Sequence, residues 1–204
     1  MKVAIVDYGV GNVANVGYAL TRAGYEPVLT KEAAEIKQAP IVLLPGVGAA
    51  APAMAALEAT GLVPVLRERV EAKKLLVGIC LGMQLLYDIS YEDGAVPCLG
   101  FLPGRIGKLI NVPKIPHMGW NELVFRDEHP LAGDLPSSPY VYFVHSYGKT
   151  PALSDDVLAY ADYNGQPIPG IVTGEGLIGM QFHPEKSGAV GHQLLVNLRQ
   201  CLEL

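Results

Sequence analysis

Short apolar runs alternate with longer, helix-patterned stretches over the first eighty residues. Residues 2–7 (KVAIVD) form an apolar run that predicts a buried strand. A glycine-bearing turn follows, Tyr8-Gly9-Val10-Gly11-Asn12. Val13, Val16 and Leu20 then recur on one helical face to about Arg22, and Gly24 closes the helix. Residues 26–29 predict a second strand, 31–38 a polar helix or turn, and 41–44 a third strand that runs into Pro45-Gly46-Val47-Gly48. An alanine-rich helical segment extends to about Lys74, and a fourth strand over 75–79 leads to Cys80. This alternation predicts a parallel sheet with helices on both faces. In such sheets ligands sit beyond the carboxyl ends of the strands. The 7–12 turn, the 45–48 loop and Cys80 all fall at that edge.

Beyond about Tyr91 short strands with turn signals replace the alternation, at 99–110, 118–125, 140–147, 157–163 and 168–182. Asn164-Gly165 and Gly174-Glu175-Gly176 mark hairpins. This half predicts an antiparallel layer that returns one strand, 177–182, to the main sheet. A final helix opens at Ser187, a candidate cap, and repeats Leu194, Leu195, Leu198 and Leu202. With no repeat or linker to divide it, the chain reads as one α/β domain over 1–204.

The stretch Gly78-Ile79-Cys80-Leu81-Gly82 is the main chemical signal. It has the form of a nucleophile elbow with Cys in place of Ser. A nucleophile on a sharp strand-to-helix turn is strained, and only glycines two residues to either side avoid the adjoining backbone. The apolar run after Cys80 predicts a helix whose N-terminus faces the sulfur and favours the thiolate. A buried structural cysteine is the alternative.

Composition narrows the choice. The 204 residues carry 23 Gly and 16 Pro at a net charge of −5, as suits an α/β domain with tight loops. No dense Lys/Arg cluster points to nucleic acid or an anionic membrane. Cys80, Cys98 and Cys201 are too far apart for a zinc pattern and odd in number for a disulfide framework. No apolar stretch spans a bilayer or forms a signal peptide, so a cytoplasmic protein is expected. Gly9 and Gly11 lack the third glycine of a dinucleotide fingerprint. No spacing suggests a metal or organic cofactor.

His183-Pro184-Glu185 stands at the end of the returning strand. Residues two apart in extended chain point the same way, so Glu185 is expected to orient the His183 imidazole. Cys80, His183 and Glu185 then make a nucleophile, proton carrier and orienting acid. Acyl chemistry also needs donors for an oxyanion. The Leu81 N–H next to the nucleophile is one candidate, and the Val47 or Gly48 N–H of the glycine loop is the second.

GICLGMQ (78–84) with QFHPE (181–185) resembles the class I, or triad, glutamine amidotransferases. Within them, DYGVGN (7–12), PGVG (45–48), PHMGWN (116–121), YFVHSY (142–147) and FHPEKS (182–187) resemble the glutaminase subunits of imidazole glycerol phosphate synthase. The resemblance implies hydrolysis of glutamine to glutamate and ammonia through a cysteinyl thioester. It implies the triad Cys80, His183 and Glu185, and a glutamine pocket lined by Gly46, Gly48, Gln84, His145, Ser146 and Tyr147. It places Asn12, Tyr142 and Lys186 toward a partner, and has the 45–48 loop flip a peptide to complete the oxyanion hole.

The same resemblance implies a heterodimer with a (βα)8-barrel cyclase subunit. The cyclase would use the ammonia to make imidazole glycerol phosphate and an aminoimidazole carboxamide ribonucleotide for histidine biosynthesis. Asn15 and Ala50 stand where the family often has Ser and Phe. Trp120 suits either core packing or the substrate or partner face. The competing readings are another pathway's triad amidotransferase, a γ-glutamyl hydrolase, or a non-catalytic scaffold of the same fold.

Overall fold

The computed structural model describes residues 1–202. Glu203 and Leu204, part of the expected domain, lie outside the described residues. The first half alternates as expected: β1 (Lys2–Val6), α1 (Val13–Arg22), β2 (Glu26–Thr30), α2 (Ala33–Gln38), β3 (Ile41–Gly46), α3 (Ala50–Ala59), α4 (Val63–Glu71) and β4 (Leu76–Cys80). A single turn, α5 (Leu81–Gln84), leads into β5 (Tyr87–Ser90), β6 (Val96–Pro97) and β7 (Leu102–Lys108). Then come β8 (His117–Glu122), β9 (Val124–Phe125), β10 (Tyr140–His145), β11 (Tyr147–Thr150), β12 (Val157–Asp162), β13 (Pro167–Gly174), β14 (Leu177–Met180) and α6 (Gly188–Asn197).

An eight-stranded sheet runs in the order β2-β1-β3-β4-β14-β13-β12-β9. The pairings from β2 across to β14 are parallel and the remaining three are antiparallel. The central strands read as unbroken apolar runs because both faces are covered. Alternate residues go to opposite cores. Val3, Ile5, Ile41, Leu43, Val77 and Ile79 face α1 and α6 through Val16, Leu20, Leu194 and Leu195. Ala4, Val6, Val42, Leu44 and Leu76 face α2, α3 and α4 through Ile36, Leu57 and Leu66. Truncating a fully buried side chain such as Leu66 to Ala costs about 2–5 kcal/mol.

The second half departs from expectation. More than one strand joins the main sheet: β13, β12 and β9 extend it beyond β14. The rest forms two small sheets, β10-β8 and β11-β7-β5-β6, in which β5 and β7 pair in parallel. Short strands signal their own extension but not their partners, because edge and central pairing share one alternation. No helix of the described residues is long and apolar enough to cross a membrane.

Candidate active site

Cys80 ends β4 with φ 53° and ψ −111°, a conformation side chains rarely adopt. Such a backbone costs about 1–3 kcal/mol and persists only where its surroundings hold it. Three glycines do so here. A Cβ on Gly78 would stand 2.6 Å from Gly82 O, one on Gly46 would stand 2.6 Å from Gly82 N, and one on Gly82 would stand 1.9 Å from Leu44 O. Gly46, expected at the glutamine pocket, therefore lies beneath the elbow, paired with Cys80 across β3 and β4.

The helix expected after Cys80 is only the four residues of α5. The stretch from Leu81 to Tyr87 is buried on all sides. Its apolar positions carry no period that separates helix from strand. The dipole contribution expected from a longer helix is correspondingly reduced.

His183 follows β14, and its Nδ1 lies 2.8 Å from Glu185 Oε1. Both side chains are almost fully buried, at 5% and 1% exposure. The route to this contact differs from the extended chain expected. Pro184 opens a 3₁₀ turn over Pro184–Lys186, which suits the fixed φ of proline at a first helical position. Glu185 thus curls back onto the imidazole. Burial lowers the affinity of His183 for its proton, but hydrogen bonds and charge from Cys80 and Glu185 outweigh this and raise the pKa to about 9. Since Nδ1 is engaged by Glu185, Nε2 is the nitrogen left for the sulfur.

Ser187 does not cap α6 through its side chain. Its Oγ donates to His183 O (2.6 Å) and accepts from Tyr142 N (3.0 Å). Asn12, expected to face a partner, directs Nδ2 toward Glu185 Oε1 at 3.5 Å, and Asn15 Nδ2 donates to Asn12 Oδ1 at 2.9 Å. Glu185 Oε2 is buried with no hydrogen-bond partner among the described residues.

A cleft of about 610 Å³ opens over Cys80 and His183. Val47, Gly48, Leu81, Gln84, His145, Ser146, Tyr147 and Lys186 line it, together with Pro116 of the PHMGWN segment and Glu92, which sequence reasoning did not single out. Gly48 has φ +88°, so the loop needs glycine there. Tyr8 OH donates to Pro45 O at 2.6 Å, and this fastens the DYGVGN turn to the same loop. Tyr142 is outside the cleft lining, and its ring lies 6.0 Å from that of Trp120. Trp120 is 56% exposed, which excludes the core-packing alternative.

PHMGWN acquires a role through His117 and Asn121. His145 Nδ1 donates to Tyr147 O (2.8 Å), which leaves Nε2 to accept from His117 Nδ1 (3.2 Å). His117 Nε2 then accepts from Asn121 Nδ2 (3.4 Å). This direction of donation requires both rings to be neutral. Burial lowers each histidine to about 4, in agreement. Gln84 Nε2 also donates to Tyr147 O, at 2.9 Å. The backbone between His145 and Tyr147, on the cleft wall, is thus held from two directions.

A buried cysteine at a strained elbow, a histidine held by a glutamate and a cleft above them thus stand together over the carboxyl edge of a largely parallel sheet. A profile of the family "Glutamine amidotransferase class-I" matches residues 4–199. The imidazole glycerol phosphate synthase subunit HisH of Oceanobacillus iheyensis is 46% identical over 98% of this chain and 99% of its own. That of Carboxydothermus hydrogenoformans is 47% identical over 97% and 98%. The solved structure of PurLQS from Thermotoga maritima shares the fold, with a TM-score of 0.75 at 20% identity and coverage of 98% of both chains. The chain belongs to the HisH family of class-I glutamine amidotransferases.

Proposed function

We propose that Cys80 is the nucleophile of a glutaminase, with His183 as proton carrier and Glu185 as the group that orients it. The chain hydrolyses glutamine and feeds the ammonia to the cyclase subunit of imidazole glycerol phosphate synthase in histidine biosynthesis. The observation that carries the residue assignment is His183 held by Glu185 at 2.8 Å with its other nitrogen free for Cys80.

In the first step Sγ attacks the side-chain amide carbon of glutamine. The C–N bond breaks as His183 gives its proton to the leaving nitrogen, and ammonia departs from a γ-glutamyl thioester. In the second step His183 takes a proton from water, the hydroxyl oxygen adds to the thioester carbon, and the C–S pair returns to sulfur. Glutamate leaves. The developing oxyanion is received by the Leu81 N–H and by that of Val47 or Gly48. Gln84, His145, Ser146 and Tyr147 receive the remainder of glutamine; their position along the cleft supports this.

The partner is a (βα)8-barrel subunit, docked as a heterodimer in the cytoplasm on the face that carries Tyr142, Lys186 and the region of Asn12. The exposed Trp120 and Met118 on β8 are consistent with a covered face. The test is ammonia release with and without the cyclase and its nucleotide ligand, on wild type and Cys80→Ser. Weak turnover alone, a large rise with partner and none from Cys80→Ser are expected. Equal release from both chains removes the assignment.

A further inference from the structure

Gln181 is the last residue before the Phe182-His183-Pro184-Glu185 run, and its side chain is fully buried. Burying an amide without partners is costly, so the destination of each end matters. Gln181 Oε1 accepts a hydrogen bond from Gln84 Nε2 at 3.0 Å. That contact fixes the orientation of the amide, because a flipped Gln181 would set two NH2 groups against each other. Nε2 must therefore point the other way, and there it lies 3.9 Å from Cys80 Sγ, at the outer reach of a hydrogen bond to sulfur. The backbone holds the side chain in place: Gln181 N donates to Gly170 O at 2.9 Å.

An N–H donor aimed at sulfur favours charge there, since a thiolate accepts far better than a thiol. The sulfur carries negative charge twice in the reaction, before it attacks the amide and when the C–S pair returns to it as water opens the thioester. His183 is charged at both moments, but its proton is on its way to the departing nitrogen or has just come from water; a donor that keeps its hydrogen throughout adds to what the imidazolium supplies. We propose that Gln181 is a catalytic residue that donates from Nε2 to the charged sulfur of Cys80. Gln84, on the cleft wall, fixes the direction of that donation. The proposal rests on the reading of Cys80 as the nucleophile.

The test uses Gln181→Met, close in size but unable to donate, and Gln181→Glu, which keeps an acceptor for Gln84 but presents oxygen to the sulfur. Alkylation of Cys80 by iodoacetamide is followed against pH, with peptide mapping to separate it from Cys98 and Cys201. Ammonia release is measured in the complex with the cyclase.

Both variants are expected to move the alkylation profile to higher pH and to slow alkylation at neutral pH by about tenfold, the worth of one hydrogen bond to a charged group. The loss in kcat should exceed any change in KM. Folded variants with the wild-type alkylation profile overturn the role of Gln181. Alkylated Cys80 with undiminished ammonia release overturns the nucleophile reading instead. In the wild-type protein the assigned Gln181 side-chain amide resonance should shift as Cys80 ionises; a resonance that stays fixed overturns the proposal even if neither variant folds.

Discussion

The main chain of His183 is bonded to that of Tyr142. His183 N donates to Tyr142 O at 3.0 Å, and Ser187 Oγ bridges the return path from Tyr142 N to His183 O. The histidine of the site is therefore fastened to β10, the strand whose outer side carries the Tyr142 ring against Trp120. Anything that shifts β10 shifts the imidazole.

Ser187→Ala leaves the Tyr142 N–H and the His183 carbonyl without this partner in a buried setting. It should destabilise the fold by about 1–3 kcal/mol. It should also lower kcat more than it raises KM, since the clasp bonds the His183 carbonyl directly, while His145 on the cleft wall stands three residues further along β10. Urea unfolding and steady-state ammonia release with the partner measure both. An unchanged kcat in a destabilised protein would limit the clasp to a structural role.

The protonation of His183 makes stability depend on alkaline pH. Its folded pKa is raised from 6.5 to about 9, so its contribution is complete below about 6.5 and is lost as pH rises through about 9. The urea midpoint of the wild type should fall across that window, and that of His183→Gln should fall less. Parallel curves would contradict the charge assigned to the imidazole.

His117 and His145 act in the opposite direction. Each is lowered from 6.5 to about 4, so the folded state binds fewer protons than the unfolded chain between those values. Stability should drop as pH falls from about 6.5 to about 4. His117→Asn should flatten that drop, read by thermal unfolding at a series of pH values. It should also loosen the 145–147 backbone and raise KM for glutamine.

The glycines of the elbow should differ sharply from that of the cleft loop. Gly82→Ala drives a Cβ to within 1.9 Å of Leu44 O, and a backbone oxygen between two strands cannot yield. A loss of about 3 kcal/mol or more is expected. Gly48→Ala meets nothing within 4 Å but forces a side chain to φ +88°. Its cost should be about 1–2 kcal/mol, with a larger effect on kcat than on stability. Melting temperatures and kcat for the two variants check the contrast.

The sequence was most legible where period and punctuation agreed. The alternation to Cys80 and the glycines around it specify both sheet and elbow, because buried parallel strands and tight turns tolerate few residue types. The His183–Glu185 contact was also legible, although its route through a 3₁₀ turn was not: Pro184 forbids a helix interior but suits a helix start. The short α5 was hidden by burial on every side. The His117–His145 pair and Gln181 were hidden for another reason. Their partners lie 28 and 101 positions away, and long-range hydrogen bonds leave no local pattern. His117, His145 and Gln181 lie inside PHMGWN, YFVHSY and QFHPE; those motifs already assign His145 to the glutamine pocket, but nothing in them pairs it with His117 or aims Gln181 at Cys80.

The central claim is that glutamine becomes covalently attached to Cys80. Acid quenching of the complex during glutamine turnover, followed by peptide mass mapping, tests it most directly. A γ-glutamyl adduct on the Cys80 peptide, absent from Cys80→Ser and discharged when glutamine is exhausted, is the predicted result. An active complex that carries no adduct on that peptide, or that keeps full ammonia release after Cys80→Ser, would contradict it.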